Sequence, residues 1–202
     1  MKQPKLIESI RLENGKYSNL SYHEERMRRA CTALRIDYRS LPLSKFLSHV
    51  SQPTKGLWKC RIVYSDAIHK VEFKPYTVRP IASLKLVYDD TIVYNQKYEE
   101  RSHLDKLYAQ RQDCDDIIIV KDNMLTDSYY GNLVLWKEGK WYTPDSCLLA
   151  GTQRACLIDS KAIQVVPISV DDLKSFEKVK IINAMMNLED GPEVLIGEVL
   201  FD

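Results

Sequence analysis

The sequence predicts a mixed α+β fold in two subdomains, and three observations lead there. An Asn-Gly pair, Asn14-Gly15, joins two short runs, the first alternating between apolar and polar residues, and a charge-rich helical stretch follows; Asn-Gly between such runs is the strongest short hairpin signal. A second antiparallel pair is expected around the Asp66-Ala67 turn. Further on, helical segments alternate with strands, and Ile117–Val120 is wholly apolar, as a strand buried on both faces requires. The division is placed at residue 88, giving a small α+β N-terminal subdomain (1–88) and a larger C-terminal one (89–202).

In order along the chain, Leu6–Leu12 and Lys16–Leu20 form the first hairpin. Ser21 is placed to cap a helix beginning near Tyr22, with Glu24 and Glu25 in its first turn and Arg28, Arg29 and Arg35 beyond. Leu43–Val50 predicts a short helix, Trp58–Tyr64 and Lys70–Tyr76 antiparallel strands, and Ile81–Val87 a further strand. Apolar residues at 104, 107 and 108 predict a helix over Arg101–Gln112. Leu133–Trp136 and Lys140–Thr143 flank the Glu138-Gly139 turn as a hairpin, and Arg154–Ala162 is helical. Strands are expected at Gln164–Ile168 and Val179–Asn183, a short helix at Asp171–Phe176, and two final strands on either side of Gly191-Pro192.

Composition sets the class. With 29 basic and 28 acidic residues the net charge is +1, so no field favours nucleic acid or an anionic membrane. The five cysteines (31, 60, 114, 147, 156) are odd in number and scattered without a Cys-x-x-Cys pair, against both a disulfide framework and a zinc site. No apolar run approaches the ~18 residues of a membrane span, and Met1–Lys5 leads into a strand without a signal-peptide core. These features predict a reduced, cytoplasmic protein.

Lys97 is followed thirty residues later by Asp127 and then by Asn132. An amine able to form a Schiff base and a carboxylate able to pair with a pyridinium nitrogen are the groups a pyridoxal phosphate enzyme needs most. Read alone, Lys97 is one lysine in a charged loop, Asp127 a turn residue, Arg26 part of a solvated basic helix face and Ser9 one more residue on an alternating strand. Short blocks in the right order change that reading: LIESIR with NGK (Leu6–Lys16), YHEERM (Tyr22–Met27), WKCRI (Trp58–Ile62), the Lys97 and Asp127 blocks, LLAGTQR (Leu148–Arg154) and INAMM (Ile182–Met186). Together they resemble the fold-type IV pyridoxal phosphate enzymes: D-amino acid and branched-chain aminotransferases and 4-amino-4-deoxychorismate lyase. The Lys-x-x-x-Arg form at Lys97–Arg101 and the Asn-Ala-Met block at Asn183 look most like the lyase branch.

The resemblance implies a two-subdomain enzyme of D-amino acid aminotransferase-like fold with pyridoxal 5'-phosphate between the subdomains, working as a homodimer. It makes Lys97 the Schiff-base lysine, with Arg101 nearby to lower its pKa, and Asp127 the partner of the ring nitrogen, with Asn132 securing its turn. Arg26, the backbone of Thr152 and Gln153, and the turn at Asn183 and Ala184 hold the phosphate. Ser9 matches a hydroxyl-bearing position near the substrate, and Arg61, Arg79 and Arg101 are candidates for the substrate carboxylate; His23 has a structural role. The expected reaction converts 4-amino-4-deoxychorismate to 4-aminobenzoate and pyruvate. A class IV aminotransferase acting on D-amino or branched-chain amino acids is the alternative within the fold, and a non-catalytic relative the alternative outside it. Three departures stand out: aspartate replaces the usual glutamate at 127, glutamine replaces the frequent threonine at 153, and the family's usual N-terminal segment of ~30 residues is lacking by the resemblance.

Overall fold

A computed structural model describes residues 3–38 and 42–201, so the first two residues of the Met1–Lys5 stretch lie outside the described part. The chain forms two compact units, Met1–Thr77 with Gln96–Glu100, and Val78–Asn95 with Arg101–Asp202.

In the first unit, strands β1 (Leu6–Glu13), β2 (Lys16–Tyr17), β3 (Leu57–Tyr64) and β4 (Ile68–Pro75) form an antiparallel sheet in the order β2-β1-β3-β4. The expected turn closes β1 on β2 with Asn14 at φ 49° and Gly15 at φ 78°, the left-handed pair that a two-residue hairpin demands. Helix α1 (Leu20–Leu34) and the short α2 (Leu43–Leu47) supply the other layer. Leu6, Ile10, Met27, Ala30, Cys31, Leu43, Leu47, Cys60, Ile62 and Tyr64 form the core. Ser21 is not the cap: α1 begins one residue before it, behind Asn19 at φ 53°, whose carbonyl takes the amides of Tyr22 and His23. A left-handed asparagine turns the chain there without a capping hydroxyl.

In the second unit, β5 (Leu84–Tyr88) and β6 (Asp116–Lys121) are parallel, with α3 (Ser102–Tyr108) on the connection between them. Next come β7 (Met124–Ser128), β8 (Asn132–Lys137), β9 (Lys140–Pro144), α4 (Thr152–Asp159), β10 (Gln164–Val166), β11 (Lys178–Ile182), β12 (Glu193–Leu195) and β13 (Val199–Leu200). The sheet runs β10-β9-β8-β7-β6-β5-β13, and β11 pairs with both β8 and β12. Ile117–Val120 is fully buried, as its composition predicts. Two expectations change. Asp127 lies inside β7 rather than in a turn, because Asp122 and Asn123 (φ 51° and 61°) form a second left-handed turn that reverses the chain after β6. Of the two strands expected around Gly191-Pro192, only the later one, β12, forms; Asn183–Met186 is a tight bridged turn. Among the described residues, no helix is long and apolar enough to cross a membrane.

Candidate active site

Three of the sequence blocks meet in the second unit. Asp127, at the end of β7, is directly opposite Asn132, the first residue of β8. Asn132 Nδ2 donates to Asp127 Oδ1 at 2.8 Å and to the Leu149 carbonyl at 2.8 Å, while the Leu149 amide donates to Asp127 Oδ2 at 2.9 Å. Both carboxylate oxygens are thus held by the protein, and the Leu148 backbone adds a further hydrogen bond to the group. Burial pushes the Asp127 carboxyl up to about 6, against the Leu149 and Asn132 hydrogen bonds and the charge of Arg154. Leu149 is a site member no side-chain pattern could announce, since it acts through its backbone.

The same asparagine packs on the start of α4. Gly151 precedes the helix, and a Cβ there would overlap Asn132 Oδ1, so glycine is what allows the two segments to approach. Thr152, Gln153 and Arg154 form the buried first turn of α4, whose amides have no acceptor within the helix and point positive charge outward. Arg154 is committed to the sheet, donating to Thr143 Oγ1 (3.0 Å) and the Pro144 carbonyl (2.8 Å). Asn183 reaches this region through the turn between β7 and β8: its Nδ2 donates to the Tyr130 carbonyl (3.1 Å), and its Oδ1 accepts from the Met185 amide (2.8 Å) across half-buried Ala184. Gly131 in that turn lies so close to β11 that a Cβ would overlap the Ile182 carbonyl.

The first unit gathers a different set. Lys97 precedes Tyr98, which bridges to Leu6, and the Lys97 carbonyl accepts from the Ile7 amide (2.9 Å). On the helix-facing side of β1, the fully buried Glu8 carboxylate accepts from Arg26 Nε (3.0 Å) and from Arg26 Nη2, and pairs with His23 Nδ1 (2.5 Å). Burial would raise the Glu8 carboxyl, but the Arg26 charge and the His23 contact outweigh it and hold it at about 2. Burial lowers the His23 imidazole, with the charges of Arg26 and Lys97 acting in the same direction. Glu8 is absent from the sequence-based site, and His23 has the structural role expected of it. Ser9 follows Glu8 on the strand and so points to the opposite face; it does not share a face with Arg26. Of the candidate substrate arginines, Arg61 pairs with Glu99 (2.9 Å) and Glu72 (3.5 Å) in this unit. In the other unit, Arg79 donates to Tyr108 Oη (3.0 Å) and the Asp115 carbonyl (2.8 Å), and Arg101 to the Tyr129 carbonyl (2.6 Å).

Comparison with known proteins places the chain in a family. The family model for amino-transferase class IV matches residues 101–189, a span that contains Asp127, Asn132, Thr152, Gln153 and Asn183 and begins four residues after Lys97. An uncharacterized protein of Haemophilus influenzae is 37% identical over 188 residues, 91% of this chain and 98% of its own length. A crystal structure from Haemophilus somnus 129PT, provisionally named 4-amino-4-deoxychorismate lyase, is 34% identical with a TM-score of 0.85, covering 93% of this chain and all 100% of that one. A hypothetical aminotransferase of Mycobacterium tuberculosis in its pyridoxal phosphate-bound form shares the fold at a TM-score of 0.75 and 14% identity, over 98% of this chain and 81% of that one. By identity and coverage together, the chain belongs to the class IV amino-transferase family, with the fold-type IV architecture.

Proposed function

We propose that the protein is a pyridoxal phosphate-dependent lyase that converts 4-amino-4-deoxychorismate to 4-aminobenzoate and pyruvate, acting as a cytoplasmic homodimer. The observation that carries the cofactor is the buried Asp127 carboxylate, gripped by Asn132 and the Leu149 amide beside the first turn of α4. The residues fit the group. Asp127 is a buried carboxylate of the kind that pairs with a protonated ring nitrogen, the amides of Thr152 and Gln153 suit a phosphate, and Gly151 lets the start of α4 pack directly on Asn132, beside that carboxylate. When bound, pyridoxal phosphate supplies an electron sink for charge developing at the substrate Cα.

The chain's own groups do the rest. Lys97 Nζ would hold the cofactor at its aldehyde and, once displaced by the substrate amine, would be the base placed to take the Cα proton. Asp127 would hold the proton on the ring nitrogen. Arg26, whose guanidinium is oriented by Glu8, would serve the phosphate, and the turn at Asn183 and Ala184 would close the phosphate side. The Ser9 hydroxyl assists proton transfer as pyruvate leaves. The lyase reaction rests on the 34% identical relative of that name, because a transaminase would use the same cofactor residues.

The test is an absorbance spectrum of the purified protein with pyridoxal phosphate, before and after borohydride, with the modified peptide mapped. A reducible visible band trapped on Lys97 supports the cofactor reading. Release of 4-aminobenzoate from 4-amino-4-deoxychorismate without an added keto acid then supports the lyase, whereas keto-acid-dependent amino transfer selects the aminotransferase. A protein that takes up no pyridoxal phosphate discards both.

A further inference from the structure

The turn that joins Asp127 to Asn132 is gripped from outside by several side chains, and Arg101 holds both its backbone and its rings. Arg101 Nη2 donates to the Tyr129 carbonyl at 2.6 Å, and its guanidinium lies 4.4 Å from the centroid of the Tyr129 ring and 5.6 Å from that of Tyr130. Tyr129 is held at every other group as well. Its ring stacks on Tyr108 (4.3 Å between centroids, 22° between planes), its amide donates to Asp116 Oδ1 (3.3 Å), and its hydroxyl to Asp105 Oδ1 (2.5 Å). Beyond it, the amides of Tyr130 and Gly131 donate to Ser128 Oγ (3.3 and 3.0 Å), and the Tyr130 carbonyl takes the Asn183 side chain. One rigid turn therefore touches the carboxylate, the asparagine that orients it, and the Asn183 turn.

We propose that Arg101 is a positioning residue: by fixing the Tyr129 peptide and ring together, it sets the geometry of the turn that presents Asp127 and Asn132 to the cofactor. The proposal rests on the cofactor reading above. Two further observations favour a role in geometry. Arg101 Nε is buried with no hydrogen-bond partner, as is Asp116 Oδ2. A chain selected for stability alone would satisfy or remove such groups. Arg154 supplies a charge that acts on Asp127, whereas Arg101 is bonded to the turn itself, through the Tyr129 carbonyl. A planar guanidinium can donate to a carbonyl while lying over an aromatic face, which a lysine ammonium cannot reproduce.

The experiment compares wild type with R101K and R101M in three readouts: hydrogen exchange at the amides of residues 129–132, thermal midpoint, and the dissociation constant for pyridoxal phosphate added to cofactor-free protein. Both variants are expected to exchange those amides at least ~10-fold faster and to bind the cofactor ~10-fold more weakly, while R101M melts no lower than wild type. Wild-type exchange and affinity in R101K would overturn the proposal, since charge alone would then suffice. A fall in melting temperature matching the loss of affinity would overturn it too, by reducing Arg101 to a structural part. If wild type binds no pyridoxal phosphate, the cofactor reading fails instead, and the exchange data still report whether Arg101 clamps the turn.

Discussion

Glu8 on β1 grips Arg26 of α1 inside the first unit, with Arg26 Nε 3.0 Å from Glu8 Oε1 and His23 Nδ1 2.5 Å from Glu8 Oε2. The pair lies beneath the strand whose edge carries Lys97, and it accounts for a histidine and an arginine three residues apart that the sequence offers as a phosphate-binding motif. The arginine is held by the carboxylate on one edge before any phosphate arrives.

Removing the carboxylate leaves a buried guanidinium without its counter-charge. Glu8→Ala is expected to cost about 3–5 kcal/mol, measured as a shift of the urea midpoint. Because the Glu8 carboxyl is held at about 2, below its ordinary 4.5, its contribution is complete above 4.5 and is lost as pH falls toward 2. Glu8→Gln should flatten that acid limb; an unchanged limb would count against the buried pair.

Asp127 behaves in the opposite sense. Its carboxyl titrates at about 6 in the folded protein, raised from an ordinary 3.8. Its effect on cofactor-free stability is therefore favourable below 3.8 and fades as pH rises through about 6. Binding of a pyridinium needs the ionised form, so pyridoxal phosphate affinity should drop as pH falls below about 6. Asp127→Asn is expected to bind the cofactor roughly 10–100-fold more weakly, the worth of a charge-assisted hydrogen bond, with that pH step abolished. Asp116, also raised to about 6 by burial, provides the control: Asp116→Asn should leave the step in place.

Gly151→Ala places a methyl group on Asn132 Oδ1. Displacing that side chain releases both Asp127 and the Leu149 carbonyl, and a cost of about 1–3 kcal/mol is expected. Weaker cofactor binding should accompany it in a titration of the cofactor-free variant. Gly139→Ala is the comparison: its Cβ would meet nothing within 4 Å, so it reports only the cost of φ 78°.

Ser9→Ala tests the hydroxyl. If Ser9 moves a proton during pyruvate release, kcat should fall by at least ~10²-fold with pyridoxal phosphate affinity unchanged. Equal losses of the two would assign Ser9 to the strand alone.

Thiol chemistry gives an independent check on packing. Cys31 and Cys60 are buried in the first core, and burial pushes the Cys60 thiol up to about 12. Under native conditions both should resist alkylation, whereas the half-buried Cys114 and Cys156 are modified first, as read by mass spectrometry.

How far the sequence could be read depended on the kind of signal. Asn14-Gly15 and Glu138-Gly139 were legible because a glycine beside a left-handed residue has few other uses. The Asp122-Asn123 turn has the same left-handed geometry without glycine, so it left no such mark; β7 went unread and Asp127 was placed in a turn. The Glu8–His23–Arg26 cluster was hidden because a glutamate on an alternating strand reads as solvent-facing, and its partners come 15 and 18 residues later on a helix. Leu149 contributes only a backbone amide. What composition and spacing supplied was the element order; the candidate cofactor residues came from the ordered blocks, and their hydrogen bonds only from the fold.

The two units are interleaved along the chain, since Gln96–Glu100 belongs to the first while the residues on both sides belong to the second. A chain severed between Thr77 and Val78 therefore yields one fragment carrying both Lys97 and Asp127, and another carrying the β1 strand on which Lys97 docks. Pyridoxal phosphate capture by the mixed fragments would then serve as a complementation signal: the amine and the acid travel together, but the amine's seat does not.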